Sequence, residues 1–117
     1  MKEGKLITSS IELAIELTLL YDRIEKKAYL KNQLARAGTS VGANIHEAKY
    51  AHSRADFIAK MQIALKECHE TEFWLTVLSQ ALPEYSLDAT RLREKAGSIR
   101  RMLITTLNTA KSNSEKE

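Results

Sequence analysis

Cysteine, proline and aromatic residues are scarce in this sequence, and no long apolar run is present. The lone Cys68 excludes a disulfide within the chain, and its place among apolar residues at helical spacing indicates a small buried side chain rather than a reactive thiol. No apolar segment approaches the length that spans a bilayer, and the N-terminus leads into an amphipathic stretch rather than the apolar block of a signal peptide. We therefore expect a cytoplasmic protein without a membrane segment.

Motifs that carry catalysis or bind a cofactor are also missing. The sequence has no glycine-rich phosphate loop behind a strand, no paired-cysteine motif and no nucleophile elbow. Three histidines are present, at His46, His52 and His69, but a di-iron bundle needs Glu-x-x-His motifs on two helices, and that motif occurs nowhere in the chain. We expect no enzyme, no cofactor and no metal site, and we place the histidines on helix surfaces.

What is present is the composition of one small globular domain. Hydrophobic residues make up 44% of the 117 residues and charged residues 28%, which is too apolar for a disordered chain and enough for one core. Four segments with helical spacing predict an all-α fold, an antiparallel up-down four-helix bundle. We assign residues 1–112 to the bundle and residues 113–117 to a polar, flexible tail.

Capping residues and helix-breaking residues set the predicted helix boundaries. The first helix is expected from about Ser10 to Lys27 and the second from about Tyr29 to Ala51. The third opens at Ser53 and ends at Pro83, because proline cannot continue the helical hydrogen-bond ladder. Ser86 is the predicted cap of the fourth helix.

Each helix has a predicted core stripe, and the first also has a predicted capping box, in which Ser9 and Glu12 satisfy each other's backbone N–H groups. In the third helix the steps alternate between four and three residues, the pattern of a helix that packs at a shallow angle in a bundle. The predicted core positions, in chain order, are Leu13, Leu17, Leu20, Ile24, Leu34, Ala37, Val41, Ile45, Ala48, Phe57, Met61, Ala64, Cys68, Thr71, Leu75, Leu78, Leu82, Leu92, Ala96, Ile99, Leu103, Thr106 and Ala110.

A second apolar strip lies on the third helix, away from its core stripe. Phe73 and Val77 project to nearly the opposite side, and Ile63 and Trp74 lie on its flank. Exposed apolar patches mark protein interfaces, so we interpret these four residues as a subunit contact. Scattered surface hydrophobes are the alternative.

The fourth helix carries a predicted basic face. Arg93, Arg100 and Lys111 lie on one side, and Arg101 lies elsewhere on the same helix, in a chain of net charge +3. Repeated in an oligomer, this face would form a belt that contacts nucleic-acid phosphates without reading bases. Aromatic residues are too few for a base-stacking platform, and an ordinary solvated charged face is the alternative.

The middle of the second helix is rich in small and polar residues. Gly38 and Gly42 are unfavourable in a helix interior, so close packing of a neighbouring helix is expected to compensate. Asn44 lies at the edge of the apolar arc, with Glu47 further around, and both need partners. Arg36, Lys66 or a carboxamide or hydroxyl of the third helix could supply them. We interpret Arg36, Asn44 and Glu47 as a structural polar cluster that fixes register rather than as a catalytic site.

The second and third helices also carry a family resemblance. The residues that carry it are Gln33, Leu34, Arg36, Ala37, Ser40, Val41, Gly42, Ala43, Asn44, Ile45, Glu47, Asp56, Phe57, Lys60, Ile63, Ala64, Leu65, Lys66, Glu67, Glu70, Thr71, Trp74 and Leu75. The chain resembles the four-helix bundle proteins of the 23S rRNA intervening sequence family, although many members have Ala-Glu-Gly where this sequence has His46, Glu47 and Ala48.

The resemblance implies a bacterial four-helix bundle that assembles as a ring-like homopentamer and has no settled biochemical activity. The family is also similar to accessory proteins of diversity-generating retroelements, which are basic pentameric barrels that bind nucleic acid and a reverse transcriptase. Our hypothesis is a non-enzymatic oligomeric bundle that binds RNA or DNA through its backbone. The alternative is an interaction scaffold that recruits a partner protein without nucleic acid.

Overall fold

Four long α-helices form the protein in the computed structural model, which describes the backbone of residues 2–116 and the side chains of residues 4–113. The helices are α1 (Lys2–Arg23), α2 (Ala28–Lys49), α3 (Arg54–Ala81) and α4 (Ser86–Lys116). One 3₁₀ turn, Pro83–Tyr85, separates α3 from α4, and the described residues contain no strand. The all-α helical bundle is therefore confirmed.

The predicted start of the first helix is wrong, because α1 begins about two turns before Ser10. Leu6 is fully buried and lies seven residues before the buried Leu13, so the core stripe extends upstream of the predicted cap. Ser9 is consequently inside the helix, and Glu12 bonds Lys95 at 2.8 Å instead of closing a capping box. The start of α1 therefore follows the apolar core stripe and not the predicted capping box at Ser9 and Glu12.

The connection between α1 and α2 depends on one unusual backbone conformation. α1 ends at Arg23 rather than at Lys27, and Ile24 fills the core just beyond it. Lys27 then adopts φ 56° and ψ 59°, in the left-handed region. Glycine and asparagine are the usual residues at such positions, so a lysine there leaves no boundary signal in the sequence.

Replacing Lys27 with glycine should raise the free energy of unfolding by about 0.5–1 kcal/mol, because glycine adopts a positive φ without a Cβ clash. Lys26 is an exposed neighbour without a positive φ and provides the matched control. Lys26→Gly should leave stability unchanged or lower it, as measured by urea denaturation. Equal effects of the two changes would show that Lys27 is not strained.

The boundaries of the third helix are confirmed, whereas the predicted cap of the fourth is wrong. Ser53 accepts a hydrogen bond from the Asp56 backbone N–H at 3.0 Å, and α3 ends at Ala81, two residues before Pro83. Ser86 has helical dihedral angles, φ −63° and ψ −35°, so it begins α4 without the extended geometry of an N-cap. The 3₁₀ turn leads directly into the helix, and no separate cap is needed.

The predicted end of the bundle at residue 112 falls within α4. The backbone of this helix continues through Lys116. Glu117 lies outside the described residues. The division into a bundle and a flexible tail stays a prediction.

The predicted core stripes are buried almost without exception, in a single core that all four helices share. Leu13, Leu75 and Leu103 are completely inaccessible to solvent, and only Phe57, Thr106 and Ala110 among the predicted core positions are partly exposed. None of the described helices combines the length and the apolar character that a bilayer-spanning segment requires. The hydrophobic periodicity of the sequence thus identifies the interior of the bundle.

The buried Gly38 allows α1 and α2 to approach each other closely. A Cβ atom at this position would lie 2.0 Å from Cδ1 of Leu17, well inside van der Waals contact, and 3.7 Å from Cγ2 of Thr71. Close packing against Gly38 compensates for its poor helix propensity, as expected. At Gly42 the nearest neighbours, in Ser10, would be 3.4 Å away, so that position has room for a methyl group.

Candidate interaction surfaces

The first surface is the α3 strip, which consists of Ile63, Phe73, Trp74 and Val77. Phe73 is 57% exposed and Ile63 is 41% exposed, while Trp74 and Val77 are half-buried against the edge of the core. The rings of Phe73 and Trp74 meet edge to face, with their centroids 5.0 Å apart. The structure therefore brings Phe73 and Trp74 into contact, with Val77 one turn beyond Phe73 and Ile63 about three turns before it.

A polar network holds Trp74 in position. Its indole N–H donates to Oε2 of Glu70 at 3.0 Å, and the same carboxylate accepts a hydrogen bond from the guanidinium of Arg36 on α2. Arg36 also approaches Glu67 at 3.4 Å. The hydrogen bond from Arg36, together with that from Trp74, lowers the pKa of Glu70, and Glu70 in turn raises the pKa of Arg36. The network ties α2 to α3 and fixes the indole ring at the border of the strip.

The three predicted polar residues of α2 do not form one cluster. Arg36 pairs with Glu67 and Glu70, whereas Glu47 pairs with Lys60 at 3.7 Å, nearer the start of α3. The Asn44 side-chain amide donates within its own helix, to the carbonyl oxygen of Ser40 at 2.9 Å and to its hydroxyl at 3.1 Å. Two of the three link α2 to α3 at separate places, and Asn44 does not bridge helices.

The second surface is the predicted basic face of α4. Two of its four cations contact α3 and the other two are exposed. Arg93 donates to the Thr76 hydroxyl at 3.0 Å, and Nε of Arg100 donates to Oε1 of Glu72 at 2.8 Å. Both arginines are partly buried between α3 and α4, where they brace the two helices. Arg101 and Lys111 are exposed.

A further cation, missed in the sequence, lies beside Arg101. Lys5 of α1 lines the same shallow groove as Arg101, together with Ser98, Met102 and Thr105 of α4. Neither Lys5 nor Arg101 forms an ion pair with another described residue. The sequence gives no sign of this pairing, because ninety-six residues separate two cations that only the fold brings together.

The third surface is the α1 strip, which the sequence analysis also missed. It consists of Ile11, Ile15 and Leu19, which are 52%, 54% and 61% exposed. Their spacing of four residues aligns them along the outside of α1, opposite the buried stripe of Leu13 and Leu17. The signal in the sequence is this second set of large aliphatic residues on an amphipathic helix.

His46 lies on the surface of α2 and His69 on that of α3, whereas the prediction is wrong for His52, which lies in the connection between these two helices; all three are exposed. Within the described part of the chain, no group of three or more His, Cys, Asp or Glu side chains is arranged to hold a metal ion. His46 contacts the ring of Tyr50, with centroids 5.4 Å apart. The buried Cys68 donates its thiol hydrogen to the carbonyl oxygen of Ala96 at 3.1 Å, which fits the expected structural role.

Comparison with known proteins identifies the family. Residues 2–105 match the 23S rRNA-intervening sequence proteins. The fold is similar to that of a protein of unknown function from the S23 ribosomal protein family of Bacteroides thetaiotaomicron, with a TM-score of 0.86 and 36% sequence identity over 92% of this chain and 99% of that one. No curated protein matches the chain. The chain belongs to the family of 23S rRNA-intervening sequence proteins.

Proposed function

We propose that this protein is a non-enzymatic, self-associating helical bundle that serves as a nucleic-acid backbone-binding accessory protein in the bacterial cytoplasm. The observation that carries the self-association is the α3 strip, in which Phe73 and Ile63 remain exposed while Trp74 and Val77 pack against the edge of the core. Apolar surface of this kind is stabilised when a second protein surface removes it from water. The family resemblance further implies five copies in a ring.

The proposal includes an antiparallel up-down bundle. Ion pairs between α1 and α4 support this arrangement, because residues late in α1 pair with residues early in α4. Arg23 meets Asp88 at 3.0 Å, whereas Glu12 meets Lys95 at 2.8 Å. The up-down arrangement leaves the outer faces of α1 and α3 free for contacts with other molecules.

Self-association is tested by placing a charge in the α3 strip. Phe73→Glu should weaken assembly by at least about 100-fold, because a carboxylate without a partner would be buried in the contact. Sedimentation velocity at micromolar concentration should therefore give a small species for this variant and a larger one for the unmodified protein. Thr90→Glu adds the same charge at an exposed position of α4 outside the strip and should assemble normally.

Circular dichroism supplies the control for folding, because Phe73 lies largely outside the core and its replacement should leave helicity unchanged. A Phe73→Glu variant that stays folded and assembles as well as the unmodified protein would contradict a role for the strip.

Nucleic-acid binding is supported by a different observation, the groove that Lys5 and Arg101 share. Cations without acidic partners are the ones free to contact phosphates, and each copy of an assembly repeats them. Arg93 and Arg100 are already bound to α3, so their side chains contribute less than the sequence predicts. Contacts of this kind carry no base information, and we expect binding to RNA or DNA of unrelated sequence.

A salt titration distinguishes the two pairs of cations at equal loss of charge. Lys5→Ala/Arg101→Ala should flatten the plot of log affinity against log salt by roughly one unit for each phosphate that the protein no longer neutralises, multiplied by the subunits engaged. Arg93→Ala/Arg100→Ala should change the slope little and lower stability instead. Equal slopes for all three proteins would exclude the groove of Lys5 and Arg101 as the binding site. No binding by the unmodified protein at low salt would favour the alternative, a scaffold that recruits a partner protein.

A further inference from the structure

The three predicted core positions that are partly exposed all line one groove between α3 and α4. They are Phe57, near the start of α3, and Thr106 and Ala110, in the second half of α4. The small side chains at positions 106 and 110 leave the side chain of Phe57 partly accessible, so the core is open to solvent here. This opening, the Phe57 groove, has a volume of about 270 Å³, near the lower end of the range for small-molecule sites.

The polar lining of the Phe57 groove consists mainly of uncharged side chains, those of Thr105, Thr109 and Asn113. The Thr105 hydroxyl donates to the carbonyl oxygen of Arg101, and the Thr109 hydroxyl donates to that of Thr105, each at 3.1 Å. Both hydroxyl oxygens therefore keep lone pairs that can accept a hydrogen bond from a ligand. The exposed amide of Asn113 can both donate and accept.

An aromatic side chain beside neutral hydrogen-bonding groups fits a nucleobase. The flat face of a base stacks on aromatic rings, and its edge carries N–H donors and acceptors. Among the described residues that line the groove, none is acidic, and the one charged residue, Arg54, is a cation. The phosphate attached to a bound base would therefore meet no carboxylate in the lining.

The Phe57 groove continues the groove of Lys5 and Arg101. Thr105 lines both grooves, and on α4 the lining of the first ends at this residue, where the lining of the second begins. Arg101 and Thr105 are about one turn apart, or about 6 Å along the helix axis. A strand whose phosphates contact the two cations thus has the Phe57 groove within reach of a base of the same or the next nucleotide.

We infer that the Phe57 groove holds one unpaired base of a strand whose phosphates contact Lys5 and Arg101. The inference rests on the proposed nucleic-acid binding and adds the class of substrate, a single strand rather than a duplex. The bases of a duplex are paired and stacked, so none enters the groove without the cost of unstacking. One ring accommodates one base for each copy of the protein, and stacking does not select its identity.

An abasic oligonucleotide separates base contacts from phosphate contacts. A single-stranded DNA of mixed sequence and an abasic copy of the same length carry the same phosphate charge, so a difference in affinity reports on the bases. By fluorescence anisotropy at low salt, the unmodified protein should bind the abasic copy at least about fivefold more weakly, because stacking of one base on an aromatic ring contributes that factor or more.

Two variants locate the base contact. Phe57→Leu keeps an apolar side chain but removes the ring, so it should bind both oligonucleotides equally. Phe73→Leu is the matched control, because Phe73 is the only other phenylalanine and lies more than four turns farther along α3. It should keep the difference in affinity. Ala110→Leu fills the groove and leaves the ring in place, and it should abolish the difference even if circular dichroism shows that Phe57→Leu does not fold.

The outcomes distinguish a failure of the base contact from a failure of nucleic-acid binding. Equal affinity of the unmodified protein for the two oligonucleotides would overturn the base contact and leave the proposed phosphate contacts in place. A difference in affinity that persists in a folded Phe57→Leu variant and in Ala110→Leu would also overturn it, since the base would then lie elsewhere. If neither oligonucleotide binds at low salt, the proposed nucleic-acid binding fails, and the inference fails with it.

Discussion

Alkylation of Cys68 by iodoacetamide should be at least about 1,000-fold slower in the folded protein than in the protein unfolded in urea. The thiol is completely buried and bonded to the carbonyl oxygen of Ala96, so the reagent reaches it only when the bundle opens. A domain whose free energy of unfolding is about 5 kcal/mol or more is open less than about one part in a thousand of the time. Mass spectrometry of timed samples measures the rate, and rapid labelling under native conditions would contradict the buried placement.

The same thiol makes the free energy of unfolding depend on pH, and the direction of that dependence is fixed. Burial raises the pKa of Cys68 from 9.0 to about 12, because a thiolate loses its hydration in the core, and Glu72 adds to the increase. The unfolded chain therefore releases this proton at a lower pH than the folded one, and the free energy of unfolding falls as pH rises from about 9 toward 12. Below about pH 9 the thiol is protonated in both the folded and the unfolded chain, so it adds no pH dependence to the free energy of unfolding.

A Cys68→Ala variant isolates this effect, since it keeps every other titrating group. Its free energy of unfolding should fall less steeply with pH above about 9, by up to about 1.4 kcal/mol per pH unit. Urea denaturation at several pH values compares the two slopes, and parallel slopes would show that Cys68 ionises equally in both states.

Replacing Gly38 with alanine should lower the free energy of unfolding, whereas the same change at Gly42 should not. The new methyl group at Gly38 would overlap Cδ1 of Leu17, and displacing a packed core leucine costs about 1–3 kcal/mol. Better helix propensity returns about 1 kcal/mol, so the net loss is up to about 2 kcal/mol. Gly42→Ala meets only ordinary contacts with Ser10 and should raise stability by up to about 1 kcal/mol.

Urea denaturation of both variants measures the difference, with a double change, Gly38→Ala/Leu17→Ala, as the test of mechanism. Because alanine at position 17 removes the overlapping atom, the penalty of Gly38→Ala should shrink in that background. An unchanged penalty would place the cause elsewhere than in the contact with Leu17.

The interior of the bundle could be predicted from the sequence because the buried residues of a helix recur at regular spacing as apolar residues. The alternation of four and three residues along α3 could come only from one buried stripe, and Ser53 and Pro83 delimited that helix through their own backbone chemistry. Lys27 left no such record, since a residue in a left-handed conformation is recognised in a sequence only when it is glycine or asparagine.

The outer surfaces were harder to predict, because the role of a charged or apolar side chain on the outside depends on which residues of other helices lie next to it. Arg93 and Arg100 share a side of α4 with Lys111, yet their partners, Thr76 and Glu72, lie on another helix, and helical spacing cannot show them. The groove of Lys5 and Arg101 is equally non-local. The α1 strip did leave a record in the sequence, the four-residue spacing of its aliphatic side chains.

The central claim is that this bundle works as an assembly rather than as a single chain. Light scattering coupled to gel filtration, on the unmodified protein at micromolar concentration, tests it most directly. The account predicts one species whose mass is a whole multiple, greater than one, of the 13.2 kDa chain. A mass of 13.2 kDa throughout the concentration range would contradict it.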